Sequence, residues 1–274
     1  MKHLLVALVL TVTQVHAAEI TVINEGNPQS PTSLFGQAYK SALGNNARWE
    51  QATSCQAAQT KLKKTPNAVL IWNSSNEFAE RSQNTSCRPE SFTTDNTVLI
   101  ATNYMKICRA TDNNKAITDP GVRLGLASMV ATARHQADWN RNGLNIKFVP
   151  YGGSAGVVTA TLNKEVDYGW IAGAMATKQE NAGRLECLYS TDRTSSKFLG
   201  KTFKLSIPDF EIVTVIYTNA KDPAVIQQLK NATKNAEFVK WIEGSETKTI
   251  VDPTQKDLDY INGYVTRLLT NWGN

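Results

Sequence analysis

The sequence predicts an α/β fold in two lobes with a cleft between them. Three observations predict it. Apolar extended runs alternate with amphipathic helical runs, the pattern of a mostly parallel sheet covered on both faces. The alternation occurs in two series of similar size, the second opening at Val122–Leu126 after the charged turn Asp112–Asp119. Within the second series, Asn145–Ile171 reads as strand, glycine turn, helix and strand, the unit that places ligands at the carboxyl end of a strand in open α/β sheets.

The elements follow in order. Glu19–Asn24 alternates as a strand, and Glu25–Ser33 is a turn rich in Gly, Pro, Asn and Ser. Leu34–Leu43 is a helix for which Ser30, Thr32 or Ser33 can serve as N-cap. Ala47–Ala52 is a weak strand, Gln56–Lys64 a helix ended before Pro66, and Ala68–Trp72 a buried strand leading into the polar turn Asn73–Asn76. Ser82–Asn96 is a polar loop, and Thr97–Ala101 and Lys106–Ala110 are strands. The second series runs through helix Ser128–Trp139, strand Asn145–Val149, helix Ala155–Leu162 and strand Val166–Ala172. A short helix Thr177–Ala182, strand Leu185–Ser190, a short run Phe203–Ser206 before Pro208 and the long extended run Glu211–Thr218 come next. Three helices close the chain, Pro223–Lys234, Ala236–Glu243 and Thr254–Asn271. No internal repeat or low-complexity segment interrupts this order.

The turn Tyr151-Gly152-Gly153-Ser154 carries the chemistry. Two glycines between a strand end and a helix start let a ligand reach the backbone without a Cβ in the way. The first N–H groups of the following helix lack internal partners and carry partial positive charge, so a carboxylate or phosphate satisfies them.

Composition bounds the rest. Leu4–Val12 is an apolar run too short to span a bilayer, Lys2 is the only charge before Glu19, and Val15-His16-Ala17 suits cleavage. Residues 1–17 are therefore expected to be a signal peptide, with the mature chain starting near Ala18 in the periplasm. No cysteine lies there for a lipid anchor, and no later run of about 18 apolar residues suggests a membrane span. Hydrophobic content of 41% and charged content of 19% suit an exported globular protein, and losing Lys2 from the formal +5 leaves +4, a mild bias towards anions. No basic run suggests nucleic acid. The four cysteines, Cys55, Cys87, Cys108 and Cys187, favour disulfides in three possible pairings, and no CxxC spacing points to zinc. After signal removal only His135 remains, so no histidine-rich metal site can form and any histidine-based triad must use it. No cofactor motif is visible.

The order of elements resembles a receptor family. Val149-Pro150-Tyr151-Gly152-Gly153-Ser154-Ala155, followed by Leu162 and Glu165-Val166-Asp167, is similar to the VPYKG…LxGxVD segment of the solute-binding proteins of tripartite tricarboxylate transporters, the Bug family. Ala182-Gly183-Arg184-Leu185 resembles the family's A-G-K-L. Ile207-Pro208-Asp209-Phe210 falls where the family returns from one lobe to the other. Asn219–Pro223 resembles its strand-to-helix turn, and Arg123–Ala137 its strand-loop-helix element. The resemblance spans the mature chain in order. It implies a hinged, type II periplasmic binding fold, with residues 18–106 and 217–274 in one lobe and 107–216 in the other. It implies a monomeric receptor, not an enzyme, that holds a small carboxylated or zwitterionic ligand and passes it to membrane transporter subunits.

Four turns are then expected at the cleft. They are Glu25, Gly26, Asn27, Gln29 and Ser30; Asn73, Ser74 and Ser75; Ala127, Ser128 and Met129; and Tyr151, Gly152, Gly153 and Ser154, with Gly173 on the floor. For each polar member, helix capping or turn formation competes with ligand contact. Trp72 and Trp170 end strands nearby and read chiefly as core, and Asp167 reads as structural. The chain departs from the family at its first turn, where paired glycines are missing, Pro28 and Pro31 remove donors, and Glu25 adds an acid. Glu25 either pairs with a ligand ammonium or points to solvent. Amino-acid-like, phosphonate or sulfonate ligands therefore stay open, as does an exported enzyme using Glu25 with Asp167. The two-lobe arrangement ranks Cys55–Cys87 and Cys108–Cys187 first, because a bond across the cleft would hinder closure, and Cys87–Cys108 next.

Overall fold

Strand β1 (Ile20–Glu25) is buried at every residue, which requires cover on both faces. The computed structural model describes residues 18–25, 28, 30–82, 91–103, 105–127, 145–190, 212–245 and 247–272. Cover for β1 comes from α1 (Pro31–Leu43) on one side and α2 (Cys55–Lys64) on the other. Phe35, Tyr39 and Leu43 of α1 join Ile20 and Val22 in one core, while Ala58 and Leu62 of α2 join Ile23 in the other. The alternation of the strand thus separates two cores by a single layer of backbone.

The first sheet continues through β2 (Ala47–Ala52), β3 (Ala68–Asn73), β4 (Thr97–Asn103), β10 (Ile212–Thr218) and β11 (Lys248–Val251), in the order β11-β4-β10-β3-β1-β2. β1 pairs in parallel with both β2 and β3, whereas β10 runs antiparallel between β3 and β4. The second sheet contains β5 (Met105–Ala110), β6 (Arg123–Leu126), β7 (Lys147–Pro150), β8 (Tyr168–Ala172) and β9 (Leu185–Ser190), in the order β7-β6-β8-β5-β9. Its described helices are α4 (Ser154–Leu162) and α5 (Gly173–Asn181), which meet in one core through Val157, Val158 and Ala176. Helices α3 (Ser74–Ser82), α6 (Pro223–Ala232), α7 (Ala236–Gly244) and α8 (Gln255–Trp272) belong with the first sheet. Leu229 and Phe238 from α6 and α7 pack beside α1, and Leu258 and Ile261 from α8 pack beside α2.

The chain passes between sheets at residue 104 and again between 190 and 212. The expected lobe limits, Lys106/Ile107 and Ile216/Tyr217, fall inside β5 and β10, strands that pair as wholes with one sheet. Because β4 ends at Asn103 and β5 starts at Met105, the carboxyl edge of the first sheet adjoins the start of β5. β5 is antiparallel to β8 and opens the pairing at Met105–Ala172, so the carboxyl ends of β6, β7 and β8 stand at that same edge.

Three elements differ from expectation. Asn73–Asn76 is not a turn, because Asn73 caps a helix beginning at Ser74. The helix expected from Thr177 begins four residues earlier, at Gly173. The edge strand β11 was not expected, since its four residues are mostly exposed and carry no alternation. The signal segment 1–17, the helix Ser128–Trp139 with His135, the run Phe203–Ser206 and the interlobe Ile207–Phe210 lie outside the described residues.

Cys108 and Cys187 are disulfide-bonded across the β5–β9 pair, as the lobe-wise ranking expects. Cys55 is also disulfide-bonded, while Cys87, its expected partner, lies outside the described residues. No described helix is long and apolar enough to cross a membrane, and no cluster of three or more metal-ligating side chains occurs among the described residues.

Candidate ligand site at the strand ends

In both sheets the first-formed parallel strand lies between its successors, β2-β1-β3 and β7-β6-β8. Connections therefore leave to opposite sides, and a crevice opens at the carboxyl ends. The two crevices adjoin, since the two sheets join at that edge.

In the first sheet the helix starts are closed by their own side chains. Ser30 Oγ accepts the Ser33 N–H at 3.1 Å and caps α1, and Pro31 supplies no N–H at the first helical position. Asn73 Oδ1 accepts the N–H groups of Ser75 at 2.7 Å and Asn76 at 3.3 Å, closing α3. Its Nδ2 donates to Thr32 Oγ1, which fastens the start of α1 to β3. Ser74 Oγ accepts the Val213 N–H at 3.0 Å. The capping and turn roles weighed for these residues are thus occupied. Glu25 is 1% exposed, so the alternative in which it points to solvent is overturned. One step along β1 from the Asn24–Ile71 pair, it takes the face of Ile23, away from α1. Gly26, Asn27 and Gln29 lie outside the described residues.

The second sheet differs. The cap position of α4 is Gly153 and that of α5 is Ala172, and neither has a side-chain hydrogen bond to offer. Every other described helix has one, from Ser30, Ser54, Asn73, Asp222, Asn235 and Thr254. Gly153 holds φ 151° and ψ 169°, a conformation nearly closed to other residues. A Cβ at Gly152 would meet nothing within 4 Å, so this side of the turn is open. Ser154 and Gly173, the first residues of the two helices, are buried. β7 and β8 are separated by β6 alone, which sets the ends of these two strands about 10 Å apart, two strand spacings. Two helix starts without side-chain caps, each with a partial positive charge, thus stand at one edge.

Ser190 adds a donor that the sequence did not mark. It ends β9 opposite Lys106, whose Nζ donates to Thr177 Oγ1 at 2.6 Å and Glu180 Oε2 at 3.0 Å on α5. The Ser190 hydroxyl therefore faces α5, is buried, and has no hydrogen-bond partner among the described residues. Its signal in the sequence is a polar residue closing an otherwise half-apolar strand.

Tyr151 is placed otherwise than a ligand-facing side chain. Its N–H donates to Leu126 O at 2.8 Å, and its ring lies over Gly125 and Gly156. Burial, with Glu165 nearby, raises its hydroxyl pKa against the opposing pull of Arg123. Both of those residues lie toward the amino ends of the strands, so the hydroxyl points away from the crevice. Ala127 follows β6 at the edge, and Ser128 and Met129 lie outside the described residues. Trp72 and Trp170 are core residues.

Asp167 precedes β8 and so stands at the amino edge, opposite the crevice. Its carboxylate takes the Arg123 N–H at 2.7 Å and Lys115 Nζ at 3.1 Å. Glu25 closes β1 at the carboxyl edge, so topology separates the two acids and they do not form the acid pair weighed above.

No protein-family profile and no curated protein matches this chain. Solved structures do. The periplasmic binding protein BugD superposes with a TM-score of 0.65 over 92% of this chain and 94% of its own, at 12% identity. MatC from Rhodopseudomonas palustris, solved with malate, gives 0.63 over 93% and 97%, at 12% identity. A second R. palustris protein, solved with adipate, gives 0.63 over 93% and 95%, at 14% identity. The chain thus has the two-lobed α/β fold of periplasmic solute-binding proteins.

Proposed function

We propose that this protein is an extracytoplasmic receptor, a divergent relative of the tricarboxylate-transporter solute-binding proteins. It captures a small carboxylate-bearing ligand between its lobes and presents it to a membrane transporter. The observation that carries the reading is the pair of adjacent helix starts, α4 and α5, which lack side-chain caps and face the crevice. A carboxylate there accepts from the N–H groups of a first turn, while Gly152 leaves the approach to α4 open. The malate and adipate seen in structures of this fold support the same class of ligand.

The lobes of the proposal are the two sheets with their helices, broadly residues 18–106 with 217–274 and 107–216. Ligand binding shifts an open population towards a closed one. The closed form is what the transporter recognises. An amino-acid-like, phosphonate or sulfonate ligand is a second reading, since helix starts satisfy any of these anionic groups.

Native mass spectrometry of the purified protein tests the proposal by revealing a retained small acid. A thermal-shift screen of carboxylates, amino acids, phosphonates and sulfonates follows. A true ligand at about a hundred times its Kd adds about 2.7 kcal/mol of stability. Absence of both a retained ligand and any shift overturns the receptor reading.

A further inference from the structure

Ser190 closes β9 in a place that strand pairing alone does not explain. Its register partner on β5 is Lys106, whose partner on the other side is Ile171 of β8. Residues paired in this way share one face of the sheet. Ile171 belongs to the core that Ala176 of α5 joins, so the Ser190 side chain lies on the face that α5 covers. Its height along that face follows from a second contact. Glu180 Oε1 of α5 accepts the Cys187 N–H at 3.3 Å, which sets Glu180 beside Cys187. From there β9 climbs three residues to Ser190 at the carboxyl edge, and α5, which starts at that edge, goes back seven residues to Gly173. Each path covers about 10 Å. Ser190 therefore stands level with the first turn of α5.

The residue is 2% exposed, and its hydroxyl has no hydrogen-bond partner among the described residues. The groups that join β5 to α5 are engaged with one another: Lys106 Nζ donates to Thr177 Oγ1 and Glu180 Oε2, and the other oxygen of Glu180 takes the Cys187 N–H. The helix start at the same height has no side-chain cap. First-turn N–H groups only donate, and a serine hydroxyl is free to donate with them. What both call for is an acceptor. A single oxyanion supplies it, and the partial positive charge of the helix start favours that choice.

We propose that Ser190 is a ligand-binding residue, its hydroxyl and the first-turn N–H groups of α5 holding oxygens of one oxyanion, the carboxylate of the ligand. This rests on the receptor reading above and names a side chain for it. The burial of the hydroxyl adds a consequence. Closing the lobes without ligand leaves a buried donor unpaired, which is unfavourable, whereas closing them around the anion pairs it. Ser190 thus favours closure only when the site is filled.

Ser190→Ala tests the proposal, with titration calorimetry against malate, adipate, methylphosphonate and methanesulfonate and with melting of the ligand-free protein. The variant removes one atom from a packed site. Affinity for whichever of these anions the wild type binds should fall about tenfold or more, the effect of losing a hydrogen bond to a charged group. The ligand-free melting curve should stay where it is or rise slightly, because an unpaired hydroxyl contributes nothing to the empty fold. Undiminished affinity in Ser190→Ala overturns this inference and leaves the receptor intact. So does a ligand-free variant that melts several degrees lower, since the hydroxyl then serves the fold. Failure of the wild type to bind any of the four anions removes the receptor reading and this inference with it.

Discussion

Asp167 and Arg123 hold each other twice. The Asp167 N–H donates to the Arg123 carbonyl at 2.9 Å, and Asp167 Oδ2 accepts the Arg123 N–H at 2.7 Å. Asn113 Nδ2 donates to the Asp167 carbonyl at 2.6 Å, and Tyr168, the next residue, donates its hydroxyl to Lys115 O at 2.6 Å. The acid therefore ties the turn before β8 to the start of β6 and to the loop after β5. This is the structural role the sequence assigns it, and it fixes the amino edge of the sheet whose carboxyl edge carries the candidate site.

Removing that carboxylate is expected to cost stability. Asp167→Ala should lose about 1.5–3 kcal/mol, the range for hydrogen bonds to a charged group, and Asp167→Asn less, because an amide oxygen still accepts the Arg123 N–H. Burial raises the pKa of Asp167, but the Arg123 N–H and the Lys115 ammonium outweigh it and leave the group below its usual range. A depressed pKa in the folded state means the stabilisation is complete above the unfolded value of about 3.9. It is lost as pH falls through the lowered folded value. Urea melts of the wild type and Asp167→Asn should therefore differ at neutral pH and converge in acid. A gap that widens on acidification contradicts the assignment.

Cys108 and Cys187 provide a second test. They are register partners in β5 and β9, separated by 79 residues of sequence, and β9 is an edge strand held by β5 alone. A closed loop of that length constrains the unfolded chain, and its loss should cost about 2–4 kcal/mol. Thermal melts of a Cys108→Ser, Cys187→Ser double variant should show this, with ligand affinity falling less than stability, since β9 contributes only Ser190 to the site. Equal stability with and without the bond would mean that strand pairing alone secures the edge.

The parallel order of the first series was legible because Val22, Val69 and Ile71 belong to runs long enough to be buried on both faces. The site was legible only where chemistry and backbone coincide. Gly152-Gly153 announced an open helix start, and the structure shows that start without a cap. Asn73 was ambiguous for a physical reason: an asparagine after a strand caps a helix and makes a turn with the same hydrogen bonds, so Asn73–Asn76 read as a polar turn. Ala172-Gly173 carried no cap signal at all, which is why α5 was placed too late, and that same lack of a cap makes it a candidate anion site. Ser190 looks like an ordinary strand residue. Its unpaired hydroxyl follows from neighbours across the sheet that no local pattern contains.

The opening of the Tyr151–Ser154 turn yields a paired experiment on the candidate site. Gly152 and Gly153 are adjacent, yet their demands differ. An alanine at Gly153 must adopt φ 151°, and such strain costs about 1–3 kcal/mol, so Gly153→Ala should lower the melting temperature whether or not a ligand binds there. An alanine at Gly152 meets no atom within 4 Å, so Gly152→Ala should change stability by no more than about 0.5 kcal/mol. If a carboxylate sits against the open start of α4, the new methyl stands in its approach and weakens binding about tenfold, the effect of losing one charge-assisted hydrogen bond. Measuring melting and ligand affinity for both variants separates the fold from the site. A Gly152→Ala protein that melts like the wild type and binds its ligand equally well removes α4 from the anion site and leaves α5 with Ser190 as its remaining donors.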